Sequence, residues 1–315
     1  MKFDSMFGAM EVYTAQIEDG KPVRVMDVGG AYQSAAYLAD GKDLMRCGGA
    51  LQSVSYERLA FDYHRAYETV RLAMPRATRV LALGGGGYAY PQFLVRNHAE
   101  VRVDVVEVDP VATAVARRYF GLDETLAECG ERLRLIEGDG RAYLDGDLAS
   151  FPNPGGYDLI VNDTFSGRTP ALRLATVEAA ELVKASLAPG GLYASNIISA
   201  VSGPEAIFLR DIAATLLEVF ECVRVIPCEP KNPDERQNTV IVAGDSRVAQ
   251  APAAGTPFAE APAAGTSSSG DSPTAQTSAA GAPSARIPVD AIPCAIEVPA
   301  LHEAAHIPYR DDFAM

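Results

Sequence analysis

Over the first sixty residues apolar and polar positions fall into short runs of strand character. Val12–Ile17, Val23–Met26 and Ser34–Leu38 are three such runs, separated by Asp-Gly and Gly-Gly pairs, and they predict a small β module. From Phe61 to Met74 the apolar spacing becomes that of a helix, which leads into the apolar run Val80–Leu83. Further strands are expected at Val105–Asp109, Leu133–Ile136, Tyr157–Val161 and Leu192–Ile198. Helical patterns lie between them, one starting at Pro91 and another over Thr176–Leu187, and a third follows over Glu205–Phe220. Cys222–Pro227 and Thr239–Ala243 predict an antiparallel pair that finishes the sheet. Such alternation implies a parallel α/β sheet with helices on both faces.

The composition changes after Asp245. Residues 247 to about 286 are Ala, Pro, Ser, Gly and Thr, with Ala-Pro-Ala-Ala-Gly-Thr at 251 and again at 261. Such a segment has too little apolar surface to offset the entropy of ordering it, so a disordered linker is expected. The expected division is a β-rich module over 1–70, an α/β domain over 71–246, the linker over 247–290 and a tail over 291–315 that docks back on the domain. The net charge of −14 disfavours nucleic-acid backbones and anionic membranes and suits a cationic small molecule. No apolar stretch approaches the ~20 residues of a membrane span. The start shows no basic segment followed by an apolar core. Five scattered cysteines without a CxxC pair read as reduced thiols, which with those features predicts a cytoplasmic protein.

Candidate chemistry gathers at strand ends. The first run stops in Gly84, Gly85, Gly86 and Gly87, and about twenty residues later the second ends in Glu107-Val-Asp109. This is the layout of a nucleotide-binding βαβ unit. The third strand ends in Glu137-Gly-Asp139-Gly140 and the fourth in Asn162-Asp163-Thr-Phe165. Either of these alone fits an ordinary turn. Four successive strands that deliver glycine or carboxylate to one edge point to a ligand site, because open α/β sheets bind ligands beyond the carboxyl ends of their strands.

These residues, with Leu187-Ala-Pro-Gly-Gly191 after them, resemble the spermidine synthase-like proteins, polyamine aminopropyltransferases of the class I methyltransferase fold. The resemblance covers roughly residues 20–245. It includes Gly29-Gly-Ala-Tyr-Gln33, similar to the family's Asp-Gly-x-x-Gln turn, and the pair Tyr63-His64. It implies a Rossmann-like methyltransferase fold with a seven-stranded mixed sheet, preceded by a small N-terminal β module whose strands assist a homodimer. It also implies a co-substrate, decarboxylated S-adenosylmethionine or S-adenosylmethionine, and no metal. Gly84, Gly85 and Gly86 would hold the donor chain, Glu107 with Asp109 the ribose, and Asp139 with Gly140 the adenine. Asp163 matches the catalytic carboxylate that takes the proton of an amine such as putrescine, with Tyr63 beside it. Gln33, His64 and Ser166 would lie along the acceptor.

Two positions depart from the family pattern. Gly87 stands where the loop normally carries the Asp that grips the donor ammonium, and Ser166 stands where Asp-x-x-Asp has its second acid. A close carboxylate–ammonium pair is worth about 4 kcal/mol at an effective dielectric of 20, so both losses bear on substrate choice. Gly87 also removes a charge that would repel the carboxylate of intact S-adenosylmethionine. Methyl transfer and non-catalytic nucleoside binding therefore stand as alternatives to aminopropyl transfer. An NAD-dependent oxidoreductase shares the first βαβ unit but gives no reason for acids at strands three and four. A diamine acceptor needs a further carboxylate in the pocket, with Glu178 and Glu205 as candidates. His302-Glu-Ala-Ala-His306 matches the zinc-peptidase pattern, but Ile307-Pro308 ends any helix at once. Tyr88 and Tyr90 either lid the cofactor or pack on the sheet, and His64 is either a site residue or a packed one. Arg168-Thr-Pro170 either lines the acceptor site or forms a solvated turn.

Overall fold

The computed structural model describes residues 1–16, 20–39, 54–74, 76–166 and 169–245, and the backbone of 296–297. The linker, nearly all of the tail and the His302–His306 pattern lie outside the described residues. The chain opens with β1 (Lys2–Ser5), β2 (Gly8–Gln16), β3 (Pro22–Val28), β4 (Ala31–Leu38) and β5 (Val54–Ser55), an antiparallel sheet in that order. Its alternation has the expected two-residue period. Val23 and Val25 pack on one face with Ala35 and Tyr37, while Met26 and Val28 join the main core on the other.

The helix α1 (Asp62–Leu72) leads into β6 (Arg79–Leu83), α2 (Ala89–Asn97), β7 (Arg102–Glu107), α3 (Pro110–Tyr119) and α4 (Leu122–Cys129). Then come β8 (Leu133–Glu137), α5 (Gly140–Asp145), β9 (Tyr157–Asn162), the two-residue pair β10 (Phe165–Ser166) and β11 (Thr169–Pro170), and α6 (Val177–Ser186). The rest is β12 (Leu187–Ser199), α7 (Ile207–Leu217), β13 (Cys222–Pro227), β14 (Gln237–Gly244) and β15 (Ile296–Glu297). The large sheet runs β15-β13-β14-β12-β9-β6-β7-β8. Strands β12, β9, β6, β7 and β8 are parallel; β14 and β13 are antiparallel, as the sequence predicts. Seven strands come from residues 79–244, and β15 adds two residues along β13.

Both faces of this sheet are covered, which is why its strands read as near-continuous apolar runs. Val80 and Ala82 of β6 pack with α1 to α4, whereas Leu81 and Leu83 pack with α5 to α7. Three details differ from the expectation. The first strand β1, with its polar sequence Lys-Phe-Asp-Ser, is recruited by pairing to β2 rather than by its own pattern. The strand expected from Leu192 starts earlier: β12 begins at Leu187 and pairs with β9 across a register shift between Leu187 and Leu192. The expected helix from Glu205 starts as a 3-10 turn at 204–206, where Pro204 lacks an N–H, before α7 proper.

The chain runs outward from β6 to β7 and β8, then returns to the other side of β6 as β9 and β12. The sheet therefore reverses direction of winding between β6 and β9, and a crevice opens beyond their carboxyl ends. The N–H of Asp163 donates to the Leu83 carbonyl at 2.9 Å, bringing the glycine loop and the carboxylate strand together there.

Candidate active site

A cavity of about 990 Å³ occupies this crevice. Its lining includes Gln33, Tyr63, His64, Gly84, Gly85, Gly86, Glu107, Asp109, Asp139, Gly140 and Asp163, so these predicted site residues converge on one space. Ser166 is placed only as backbone, in the β10–β11 pair. The side chains of Arg168, Thr169 and Pro170 lie outside the described residues. Among the described residues, Glu178 and Glu205 are absent from the lining, while Asp27 of β3 is present.

One half of the cavity is built from backbone. The Gly84 N–H donates to the Val106 carbonyl, and Gly84 sits at φ +87°. A Cβ there would stand 2.6 Å from the carbonyl oxygen of Asp163, so close strand approach and backbone angle both demand glycine. Glu107, buried at the tip of β7, accepts the N–H groups of Gly85 and Gly86 on Oε2, at 2.7 and 2.9 Å, and that of Asp109 on Oε1 at 2.8 Å. Burial pushes its carboxyl above the usual range, against the pull of those three N–H donors. A carboxylate offers about four acceptor sites, so about one remains for a ribose hydroxyl. Asp109 is 1% exposed and works for the fold: Oδ1 caps α3 through the Val111 N–H, and Oδ2 accepts the Met6 N–H from the β1–β2 turn. Asp139 caps α5 through the Ala142 N–H, with Arg173 Nη1 4.0 Å from its Oδ1. These residues fit an adenosyl group: a glycine turn with room for a chain, an acid at the ribose position and a second acid at the next strand tip.

Gly87 has a steric reason to lack a side chain. A Cβ there would meet Ser34 Oγ at 2.5 Å, because β4 packs directly over the loop. Tyr88 and Tyr90 resolve differently. The Tyr88 ring is buried under Gly85 and its hydroxyl bonds Thr113, so it packs. Tyr90 lines the cavity and stacks on His64 with ring centroids 5.9 Å apart.

The other half is built from side chains on distant elements. Asp163, just past β9, accepts the Tyr63 hydroxyl on Oδ2 at 2.9 Å and the Asn196 amide on Oδ1 at 3.1 Å. Burial, and then the Asp163 charge, push the Tyr63 phenol well above its usual range, so it remains a donor at neutral pH. His64 Nε2 lies 3.8 Å from Asp163 Oδ2 while its Nδ1 is buried without a hydrogen-bond partner. Tyr67 buttresses the group: its hydroxyl donates to the Asn162 carbonyl and accepts the Asn196 N–H, each at 2.9 Å. No Lys or Arg pairs with Asp163 among the described residues; two neutral donors orient the carboxylate and the His64 ring stands beside it. Such a group can hold and deprotonate an amine.

Asn196, Tyr67 and Asp27 were not singled out from the sequence. For Asn196 a signal existed, since it lies near the carboxyl end of the fifth strand, where the ligand rule points.

The chain matches the family model described as the Spermine/spermidine synthase domain over residues 61–223, just over half its length, and it belongs to that family. It is 29% identical over 157 residues to a polyamine aminopropyltransferase of Vibrio vulnificus, covering 48% of this chain and 50% of that protein. It is 29% identical over 196 residues to polyamine aminopropyltransferase 2 of Hyperthermus butylicus, covering 61% of each. A human eEF1A lysine and N-terminal methyltransferase is 27% identical over 212 residues, 58% of this chain and 29% of that protein. The chain thus spans between half and about three-fifths of those two aminopropyltransferases. In fold it is similar to a probable spermidine synthase from Corynebacterium glutamicum, with a TM-score of 0.59 at 21% identity, over 78% of this chain and 80% of that one. Family members include both aminopropyltransferases and methyltransferases, so the chain is of a transferase family.

Proposed function

We propose that this chain transfers an aminopropyl group from decarboxylated S-adenosylmethionine to an amine, with Asp163 as the base. The observation that carries the reading is the Asp163 carboxylate, held by Tyr63 and Asn196 without a Lys or Arg partner, beside the glycine loop on the lining of one cavity. An amine is protonated at neutral pH and must lose a proton to become a nucleophile. Asp163 accepts that proton; the nitrogen lone pair then forms a bond to the propyl carbon, and the carbon–sulfur bond breaks with its electron pair on sulfur. The bound sulfonium supplies the leaving group, a neutral thioether. Glu107 and Asp139 are assigned to the ribose and the adenine, and the aromatic wall of Tyr63, His64 and Tyr90 favours a cation and limits water around the reacting nitrogen.

A second reading, methyl transfer from intact S-adenosylmethionine, is favoured by one feature: packing of Ser34 on Gly87 leaves no space for an acid that would grip the donor ammonium. Calorimetric titration with the two donors separates the readings. Tighter binding of the decarboxylated donor, followed by turnover with putrescine, supports aminopropyl transfer; tighter binding of the intact donor, with methyl transfer to an amine, replaces it.

A further inference from the structure

The wall beside Asp163 is aromatic, and its hydroxyls are engaged elsewhere. Phe61, Tyr63, His64, Tyr67 and Tyr90 all line the cavity. The Tyr63 hydroxyl donates to Asp163, and that of Tyr67 is shared between the Asn162 carbonyl and the Asn196 N–H. The Tyr90 hydroxyl donates to Glu68 Oε2 at 3.4 Å. Burial pushes all three phenols well above their usual range, so they stay neutral. The rings form one connected set. Phe61, itself only partly buried, stacks on Tyr63 with centroids 5.5 Å apart, and His64 lies 5.7 Å from Phe61 and 5.9 Å from Tyr90. Beyond the reacting nitrogen this wall therefore offers a ligand ring surface rather than hydrogen-bonding groups.

The acids around this wall already have partners. Asp62 pairs with Arg65 and is absent from the lining. Glu68, behind Tyr90, is bound by Arg71 Nε and Nη2 at 2.9 and 2.7 Å and lies 3.1 Å from His98. Among the described residues the lining carries four carboxylates besides Asp163. Glu107, Asp109 and Asp139 belong to the tips of β7 and β8 and accept backbone N–H groups there. Asp27 accepts the Gly30 N–H at 2.8 Å in the β3–β4 turn and meets the Tyr13 hydroxyl at 3.5 Å. A second ammonium laid along the aromatic wall would leave water with no carboxylate beside it, which is costly.

We infer that the acceptor is an arylalkylamine, a primary amine whose nitrogen is at Asp163 and whose aromatic ring, a short carbon spacer away, packs on Phe61 and the rings beside it. The inference rests on the amine-acceptor reading above and names its substrate class. The reach is short, because Phe61 stacks on Tyr63 and the Tyr63 hydroxyl is 2.9 Å from Asp163. Ring against ring adds a directional attraction to the burial of apolar surface. The transfer keeps its balance: the nitrogen–carbon bond forms, the carbon–sulfur bond breaks with its electron pair on sulfur, and the ammonium proton goes to Asp163. A diamine such as 1,4-diaminobutane presents the same near nitrogen and remains an acceptor, of lower affinity.

The test is calorimetric titration of the full chain with 2-phenylethylamine, 1-aminobutane and 1,4-diaminobutane, for the native protein, Phe61→Leu, Phe61→Ala and Asp27→Asn. The native protein is expected to bind the aryl amine about tenfold or more tighter than either alkyl amine, the scale of one ring buried against others. Phe61→Leu keeps an apolar side chain on the core and should lower that preference severalfold, with 1-aminobutane affinity held within about twofold. Phe61→Ala should lower it further. Asp27→Asn keeps an acceptor for the Gly30 N–H and should leave the three affinities in the same order. Equal affinity for the three amines in the native protein, binding of none, or tightest binding of the diamine overturns the inference. So does an aryl preference unchanged in both Phe61 variants, or parallel loss of all three amines in Phe61→Leu. An aminopropyl-transfer assay run alongside separates the two ideas. Transfer to 1,4-diaminobutane without aryl preference removes the substrate class alone; aryl preference without transfer removes the transferase reading alone.

Discussion

The two halves of the cavity are made in different ways. The donor half is a product of local sequence: Gly84 to Gly87, Glu107 and Asp139 sit at the ends of three adjacent parallel strands, and main-chain groups do most of the holding. The acceptor half is a tertiary product. Tyr63 comes from α1, Asp163 from the end of β9 and Asn196 from β12, with Tyr63 and its partner Asp163 100 positions apart. Backbone-built sites are rigid and shared by many chemistries, whereas the side-chain half decides what reacts. Variants in the donor half should therefore change binding and stability together. Variants in the acceptor half should change turnover while the donor still binds.

The largest expected effect is at Asp163. Asp163→Asn should lower kcat by about 10²–10⁴-fold, the usual range for loss of a general base, with donor affinity unchanged by titration. A comparable loss of donor affinity would dissolve the distinction between the halves. Next is Tyr63→Phe. Removing one hydrogen bond to a charged group should lower kcat about tenfold or more, seen as a kcat change in steady-state assays rather than a change in donor affinity. On the donor side, Gly84→Ala forces a Cβ against the Asp163 carbonyl at an unfavourable φ. It should cost at least about 1–3 kcal/mol of stability in denaturant unfolding and weaken the donor as well.

The smallest effect is a pH dependence at Glu107. Its carboxyl is raised in the folded chain, so its contribution to stability is fully present below the unfolded pKa and is lost as pH rises through the folded one. Comparing melting temperatures of native protein and Glu107→Gln from about pH 4.5 to 7, the balance should move toward the variant as pH rises. A flat difference would mean that the three N–H donors cancel the desolvation of the carboxylate.

This contrast also explains what could be read from the sequence. The parallel strands, the glycine loop, Glu107, Asp139 and Asp163 are legible because an apolar run and the residue that ends it are contiguous, and the run's end is the site. Tyr63 and His64 were reached only through resemblance, since nothing in an amphipathic helix says which strand tip it will face. Asn196 needed the strand rule applied once more. Asp27 was hidden, because an acid before Val-Gly-Gly looks like a turn residue, and it does close a turn through Gly30. Its place in the cavity lining depends on the N-terminal sheet folding against the glycine loop, where Ser34 meets Gly87. Asp109 was legible as an acid at a strand tip, but its carboxylate is shared between a helix cap and the Met6 N–H, a division of labour that pattern alone does not show.

The most direct test of the central claim is single-turnover transfer from decarboxylated S-adenosylmethionine to putrescine, native protein against Asp163→Asn, with intact S-adenosylmethionine as the control donor. The account predicts formation of the aminopropylated amine by the native protein, a loss of about 10²-fold or more in the variant, and no methylated product. Methylated amine from the intact donor with no aminopropyl product, or equal aminopropyl transfer by both proteins, would contradict it.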